Sequence, residues 1–219
     1  MVANFTVVVA KKQTNGKGQR GAVWTSEAGK NLTFSVFVDI YFLPIAYQFY
    51  FNCAVALAIY NGLDKLNIPK LSLKWPNDIL SANKKIAGVL IENTIRFEKK
   101  QAIVGIGLNV NQTEFSTNLN ASSLKNSTGI VYNLDEVLQI IITELKLQIT
   151  RLREKEFLKI HQDFEAVLFR KNKPSTFKNA EGDLFMGFIK GVSNTGKLQL
   201  LIEDGVVKEY RLKEVQLLY

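Results

Sequence analysis

The sequence predicts an α+β protein: a β-sheet packed with helices over residues 1–173, then a small all-β domain over residues 174–219. Three observations carry that prediction. Apolar residues recur at helical spacing over 135–152 and again over 157–169. Between Phe5 and Val110, apolar runs of strand length are separated by turns rich in glycine, asparagine and proline. After Lys171-Asn172-Lys173-Pro174 the pattern changes to short strands divided by glycine turns.

In chain order, the run from Phe5 to Ala10 reads as a strand. It leads into Gln13-Thr14-Asn15-Gly16-Lys17-Gly18-Gln19-Arg20-Gly21, where glycine alternates with long polar side chains. Residues 32–38 and 102–110 read as strands flanking an apolar helix over 44–62. That helix carries Gln48, Asn52 and Asn61, which fits a buried core helix better than a membrane span. Leu71, Leu73 and Trp75 alternate as a strand, and Pro76, which has no amide hydrogen, ends or kinks it. Asn77 and Asp78 favour a turn, Ile79-Leu80 is a short apolar stretch, and residues 81–84 make a second turn. Lys85 then opens the apolar run Ile86 to Ile91, which contains Gly88.

The helix over 135–152 begins with Asp135 and Glu136, where the helix dipole favours negative charge. The helix over 157–169 holds His161 with no cysteine or histidine near it, so it reads as a surface or satisfied histidine. Beyond Pro174, strands over 184–191, 197–203, 206–212 and 215–218 are separated by Gly182, Asn194-Thr195-Gly196 and Asp204-Gly205. A run of short strands of this size fits a small SH3-like barrel.

Two segments carry chemistry. In the first, Gly16, Gly18 and Gly21 allow positive φ and close approach to a ligand. Successive amides there can form an anion-binding nest, with Lys17 and Arg20 adding full charge. The plain alternative is a surface turn. The second is Lys74-Trp75-Pro76-Asn77-Asp78 with Lys85-Ile86-Ala87-Gly88 behind it, and a glycine inside a strand marks a close approach of ligand or backbone. Its plain alternative is a β-hairpin with a solvated lysine at the corner. Trp75 reads as core, and Trp24 reads equally well as a half-buried loop aromatic.

Taken in order, Gly16 to Gly21, Lys74 to Asp78, Lys85 to Leu90 and Gly105-Ile106-Gly107-Leu108-Asn109-Val110 resemble the motifs of the biotin protein ligases. Ala121-Ser122-Ser123-Leu124 adds to the likeness. The resemblance implies a mixed sheet packed with helices, with an SH3-like domain after it. It also implies two reactions: biotin and ATP give biotinyl-5′-adenylate, with Mg²⁺ assisting, and the biotinyl group then passes to a lysine of a carrier domain. Neither step needs a covalent enzyme intermediate, which suits a chain with one Cys and one His.

By motif position, the resemblance makes Lys85, Lys17 and Arg20 the catalytic cations, with Lys85 between the biotin carboxylate and the α-phosphate. It assigns Gln13, Gly16, Lys17, Lys85, Gly88, Gly105 and Gly107 to biotin. It assigns Gly18, Arg20, Trp24, Lys74, Asn77, Asp78 and Asn109 to ATP and the adenylate, with Trp24 stacking on adenine and Asn109 bonding to it. No protein metal ligand is assigned beyond a metal-bound water near Asp78. The implied partner is the biotin carboxyl carrier domain of acetyl-CoA carboxylase or a related carboxylase. Pairing into a homodimer through the central sheet is left open.

Two departures matter. Lys17 and Gln19 stand where the family loop commonly carries arginine, so planar bidentate phosphate contacts are lost and weaker adenylate retention is expected. Family members also begin with a strand and helix bearing a D-S-T-N segment, whereas here Met1 almost directly precedes the first apolar strand. Each missing neutral hydrogen bond to the ureido ring would cost about 0.5–1.5 kcal/mol, so the expectation is either a truncated or mis-started chain or poor biotin affinity.

Composition narrows the classes further. At 47% hydrophobic residues over 219 positions, the chain can bury a full core. A single cysteine, Cys53 in an apolar helical stretch, excludes an internal disulfide and reads as buried and inert. No leader pattern opens the sequence, so a cytoplasmic location is expected. The net charge of +8 invites nucleic acid, but no helix-turn-helix pattern precedes the motifs and no specific DNA binding is expected. The charge suits docking of an acidic carrier. Lipoate–protein ligases are the nearest rival, although K-W-P-N-D followed by K-I-A-G favours biotin. A basic binding module without catalysis is the rival from another class.

Overall fold

A computed structural model describes residues 2–96, 99–116, 119–203 and 205–219. The first strands are β1 (Val7–Val9), β2 (Gly16–Lys17), β3 (Val23–Trp24) and β4 (Leu32–Asp39). Helix α1 (Gln48–Lys65) leads to β5 (Leu71–Lys74), β6 (Asp78–Ser81), β7 (Lys84–Arg96) and β8 (Lys99–Leu108). Helices α2 (Leu124–Thr128), α3 (Leu134–Arg153) and α4 (Phe157–Ala166) follow. The chain ends in β9 (Pro174–Asn179), β10 (Leu184–Val192), β11 (Leu198–Leu201), β12 (Val207–Tyr210) and β13 (Val215–Leu218).

The main sheet has the order β1-β4-β8-β7-β6-β5. Its ladders are antiparallel, and parallel pairing enters only as isolated bridges such as Leu73–Leu168 and Lys85–Ala121. Alternation along the strands gives the sheet two unlike faces. Leu32, Phe34, Val36 and Val38 of β4 and Ala102, Val104, Ile106 and Leu108 of β8 are buried in the core that α1 and α3 also fill. Ser35, Ile103, Gly105 and Gly107 fall on the other face, which no α-helix of the described residues lines. That open face holds the site.

Helix α1 is buried from Cys53 to Ile59, as its apolar composition predicts, and begins after a 3-10 turn over Ile45–Tyr47. Gly62 lets α3 approach closely, since a Cβ there would stand 3.3 Å from Ile141 Cγ1. Asn133 caps α3: its Oδ1 accepts from the amides of Asp135 (2.9 Å) and Glu136 (3.3 Å). The α4 helix stops at Ala166, short of the predicted Phe169. Its last residues peel off to the sheet: Leu73 N–H donates to Val167 O (2.9 Å) and Phe169 N–H to Leu73 O (2.7 Å).

The C-terminal strands form an antiparallel sheet of order β12-β11-β10-β9-β13. The sequence reading missed β9, because its residues Pro174–Asn179 interleave polar groups and open on proline. Asp204 of the predicted Asp204-Gly205 turn lies outside the described residues. The C-terminal sheet is tied to the rest by Asn172 N–H to Ile189 O (2.9 Å), Val192 N–H to Glu165 Oε1 (2.8 Å), and Trp75 Nε1–H to Gly196 O (3.0 Å). His161 is satisfied, as expected, by Val192 O at 2.8 Å. Cys53 is buried, and burial pushes its thiol pKa well up. Among the described residues, no helix is long and apolar enough to cross a membrane.

Candidate active site

A cavity of about 500 Å³ opens on the uncovered sheet face. Its floor is set by register: Gly88 of β7 pairs with Gly107 of β8, and Leu90 with Gly105. Its rim is the loop carrying Gln13, Lys17, Gly18 and Gln19, and its far wall is Asn77 and Asp78.

Lys85 reaches this cavity through a β-bulge. Residues 85 and 88 are three apart, so a regular strand would point them to opposite faces. In the β6–β7 ladder Ile79 pairs with Ala87 but Leu80 pairs with Lys85, leaving Ile86 as the extra residue. The bulge re-aims the lysine. As a result, a Cβ on Gly88 would stand 3.1 Å from Lys85 Cε and 3.2 Å from its Nζ. The Lys85 backbone is clamped as well: its N–H donates to Asn120 O and its carbonyl accepts from Ser122 N–H, each at 2.9 Å.

Lys85 Nζ lies 2.6 Å from Asp78 Oδ1. The pair is ionic without hydrogen-bond angles, so Oδ1 stays buried with no hydrogen-bond partner. Lys74 Nζ is 3.8 Å from Asp78 Oδ2. Burial pushes the Lys74 pKa down; Asp78 opposes that shift and Lys85 reinforces it.

The glycine-rich loop is a small hairpin in which Gly16 pairs with Trp24 and Lys17 with Val23. Of its three glycines only Gly21 takes a positive φ, +85°. Gly18 is extended, and its amide donates to Ala22 O (2.7 Å), so that amide is committed inside the loop. Lys17 is exposed. The side chain of Arg20 lies outside those described. Trp24 sits over the floor: a Cβ on Gly107 would come within 2.6 Å of its Cζ2 and 2.7 Å of its Nε1. Lys85 Nζ stands 5.6 Å from the Trp24 ring centre, and the indole Nε1 is buried without a partner.

The remaining sequence-predicted residues are more dispersed. Gly16 packs beneath the rim against Gln13 and the carbonyl of Trp24. Asn77 spends its amide on Val89 O (2.6 Å), pinning the turn to β7. Asn109 is buried and outside the cavity lining, its Nδ2 donating to Ser122 O (3.0 Å) and its Oδ1 unpartnered. Lys74 lies outside the cavity lining. Trp75 is half-buried at the junction with the C-terminal sheet.

Sequence reasoning missed Ser35, Glu92, Leu212 and Lys213, all of which line the cavity. The β4 alternation could have found Ser35, which faces away from its buried neighbours. No local signal could have brought Lys213 there from the other domain. Asn120, and Ser122 of the Ala121-Ser122-Ser123-Leu124 segment, hold Lys85 and Asn109 in place.

A cleft with cations at its rim, glycines for a floor and unpartnered polar atoms along its wall suits a flat ligand carrying anionic groups. Residues 2–109 match the model of the Biotin/lipoate A/B protein ligase family. The bifunctional ligase/repressor BirA of Bacillus spizizenii is 29% identical over 212 residues, covering 94% of this chain and 64% of its own length. The biotin--[acetyl-CoA-carboxylase] ligase of Paracoccus denitrificans is 27% identical over 88% of this chain and 82% of its own. Among solved structures, the biotin protein ligase from Aquifex aeolicus in complex with biotin and ATP superposes with a TM-score of 0.82 at 28% identity, covering 99% of this chain and 90% of that one. Residues 2–109 belong to the biotin/lipoate A/B protein ligase family, and nearly the whole chain resembles biotin protein ligases in sequence and fold. It spans 64% of the length of the Bacillus relatives and 65% of that from Escherichia coli.

Proposed function

We propose that this chain is an ATP-dependent ligase that activates biotin as biotinyl-5′-adenylate and transfers it to a lysine of a carboxylase carrier domain. The observation that carries the reading is Lys85, turned by a bulge onto a glycine floor and within 2.6 Å of Asp78. A carboxylate oxygen of biotin attacks the α-phosphorus of ATP, the bond to the bridging oxygen breaks, and pyrophosphate leaves with the electron pair. The obstacle is repulsion between two anions, and Lys85 is the cation placed to reduce it. In the second step the neutral amine of the carrier lysine attacks the acyl carbon. An amide forms, AMP departs, and a proton is lost to solvent.

Gly88 and Gly107 allow the ligand to approach the sheet backbone, and Trp24 must shift to uncover them. Asn109 Oδ1 and the Trp24 indole N–H are buried groups that a heteroaromatic base or the ureido ring can satisfy. Mg²⁺, when bound, would screen phosphate charge. Among the described residues no cluster of three or more His, Cys, Asp or Glu could hold a metal. Asp78, which lines the cavity and is paired with Lys85, is the carboxylate that could hold the ion through a bound water.

ATP–pyrophosphate exchange with biotin, with lipoate and with neither tests the reading. Exchange with biotin alone supports it. Exchange with lipoate alone reassigns the substrate, and none from folded protein removes the ligase reading.

A further inference from the structure

The motif reading sets Lys74 against phosphate, yet Lys74 lines a different cavity. This second cavity, of about 440 Å³, lies at the seam between the helix-backed sheet and the C-terminal sheet. Trp75, Phe169, Leu198 and Leu217 give it apolar walls. Lys74, Lys178 and Lys213 also line it, and no carboxylate of the described residues does. Its volume falls within the range of small-molecule sites.

Lys74 adds an independent observation. Its nearest carboxylate, Asp78, is 3.8 Å away and more closely engaged by Lys85 at 2.6 Å. Its other neighbour is the ring of Tyr219, 5.2 Å from Nζ. Lys74 is thus a largely buried cation with a shared and distant counter-ion. Burial depresses its pKa. An anion entering the seam would supply the missing compensation.

We propose that the seam cavity binds a small amphipathic anion, its apolar body against Trp75, Phe169 and Leu217 and its carboxylate or phosphate head at Lys74 and Lys178. Three cations in a lining that contains no carboxylate of the described residues select for negative charge. The apolar walls select against a bare ion, which would leave them facing solvent. The site is separate from the glycine-floored cavity, although Pro76, Leu212 and Lys213 line both.

Calorimetric titration of the full chain tests this without reference to ligase activity. The probes are octanoate and octyl phosphate, with 1-octanol and inorganic phosphate as partial mimics. One-site binding by at least one amphipathic anion is expected, about tenfold or more tighter than by either partial mimic. Saturating biotin should leave it in place. Leu217→Trp, which fills the cavity, should abolish it, and Lys178→Ala should weaken it severalfold; both should keep biotin-dependent pyrophosphate exchange. The preferred head group tells a carboxylate source from a phosphate source. Octanol binding as tightly as octanoate, complete displacement by biotin, or no saturable binding at low-millimolar probe would overturn the proposal. If Leu217→Trp fails to fold, the octanol comparison and Lys178→Ala still decide.

Discussion

Replacing Lys85 by alanine separates the proposed catalytic role of that side chain from its structural one. In the folded protein its ammonium group has one close ionic partner, Asp78 Oδ1, and is about one-third exposed. An ion pair of that exposure contributes at most about 1 kcal/mol to folding. Lys74, 3.8 Å from the other oxygen of Asp78, softens the loss further. The Lys85 backbone bonds to Asn120 and Ser122 do not depend on the side chain. Lys85→Ala should therefore melt within a few degrees of wild type.

Catalysis should respond differently. Removing one preorganised charge at a site where negative charge develops typically costs about 10²–10³-fold, or 2.7–4 kcal/mol. Biotin-dependent ATP–pyrophosphate exchange at saturating biotin should fall by that factor. Lys85→Arg, which keeps the charge on a wider planar head, should recover only part of it. The assay is exchange rate beside a thermal melt for each variant. A folded Lys85→Ala protein within about threefold of wild-type exchange, far below the loss just estimated, would refute the assignment of the cation.

Three further outcomes follow from particular contacts. Gly191→Ala puts a Cβ 2.9 Å from Glu165 Cδ, forcing Glu165 off Val192 N–H and Lys171; a loss of about 1–3 kcal/mol is expected in denaturant melts, and unchanged stability would mean that the junction yields freely. The Lys74 pKa is lowered by burial, so between that lowered value and the ordinary lysine value the unfolded chain binds more protons. Wild type should accordingly gain stability relative to Lys74→Met as pH rises toward the ordinary lysine range, and parallel pH profiles would contradict this. Lys17 is exposed and Gln19 Oε1 is buried without a partner; replacing both with arginine should slow adenylate release, read by chase of labelled adenylate, whereas a wild-type adenylate that outlasts many carrier turnovers would sink the idea.

The fold was legible where burial repeats with a period. The strand over 32–38 and the helix over 135–152 carry repeating apolar patterns and lie within one residue of the observed bounds, while the helix expected over 44–62 starts four residues later and ends three residues later. Helix α4 ended early because the backbone of Val167 and Phe169 found partners on β5, a tertiary choice that the helical period of the side chains does not encode. Strand β9 stayed hidden because pairing with β10 and β13 on both sides, more than its own composition, makes it a strand.

The site was legible as residue types and illegible as geometry. Gly88 and Gly107 could be picked out as places of close approach, but only the register shows that they face each other across two strands. Nor did the reading foresee that Trp24 rests on Gly107. The bulge at Ile86 is the clearest case. On simple alternation Lys85 belongs on the face opposite Gly88, and only the family resemblance brought it to the site. One unpaired residue reverses it, because Leu80 pairs with Lys85 where an unbroken register would put Ile86. Buried Ile86 and Ala87 in succession are the trace that the bulge leaves in the sequence: two adjacent apolar residues with no polar alternation between them. That trace is the same as the one left by any fully buried strand. The side chain to which we assign adenylation is therefore aimed by a backbone irregularity that only the pairing of three strands can specify.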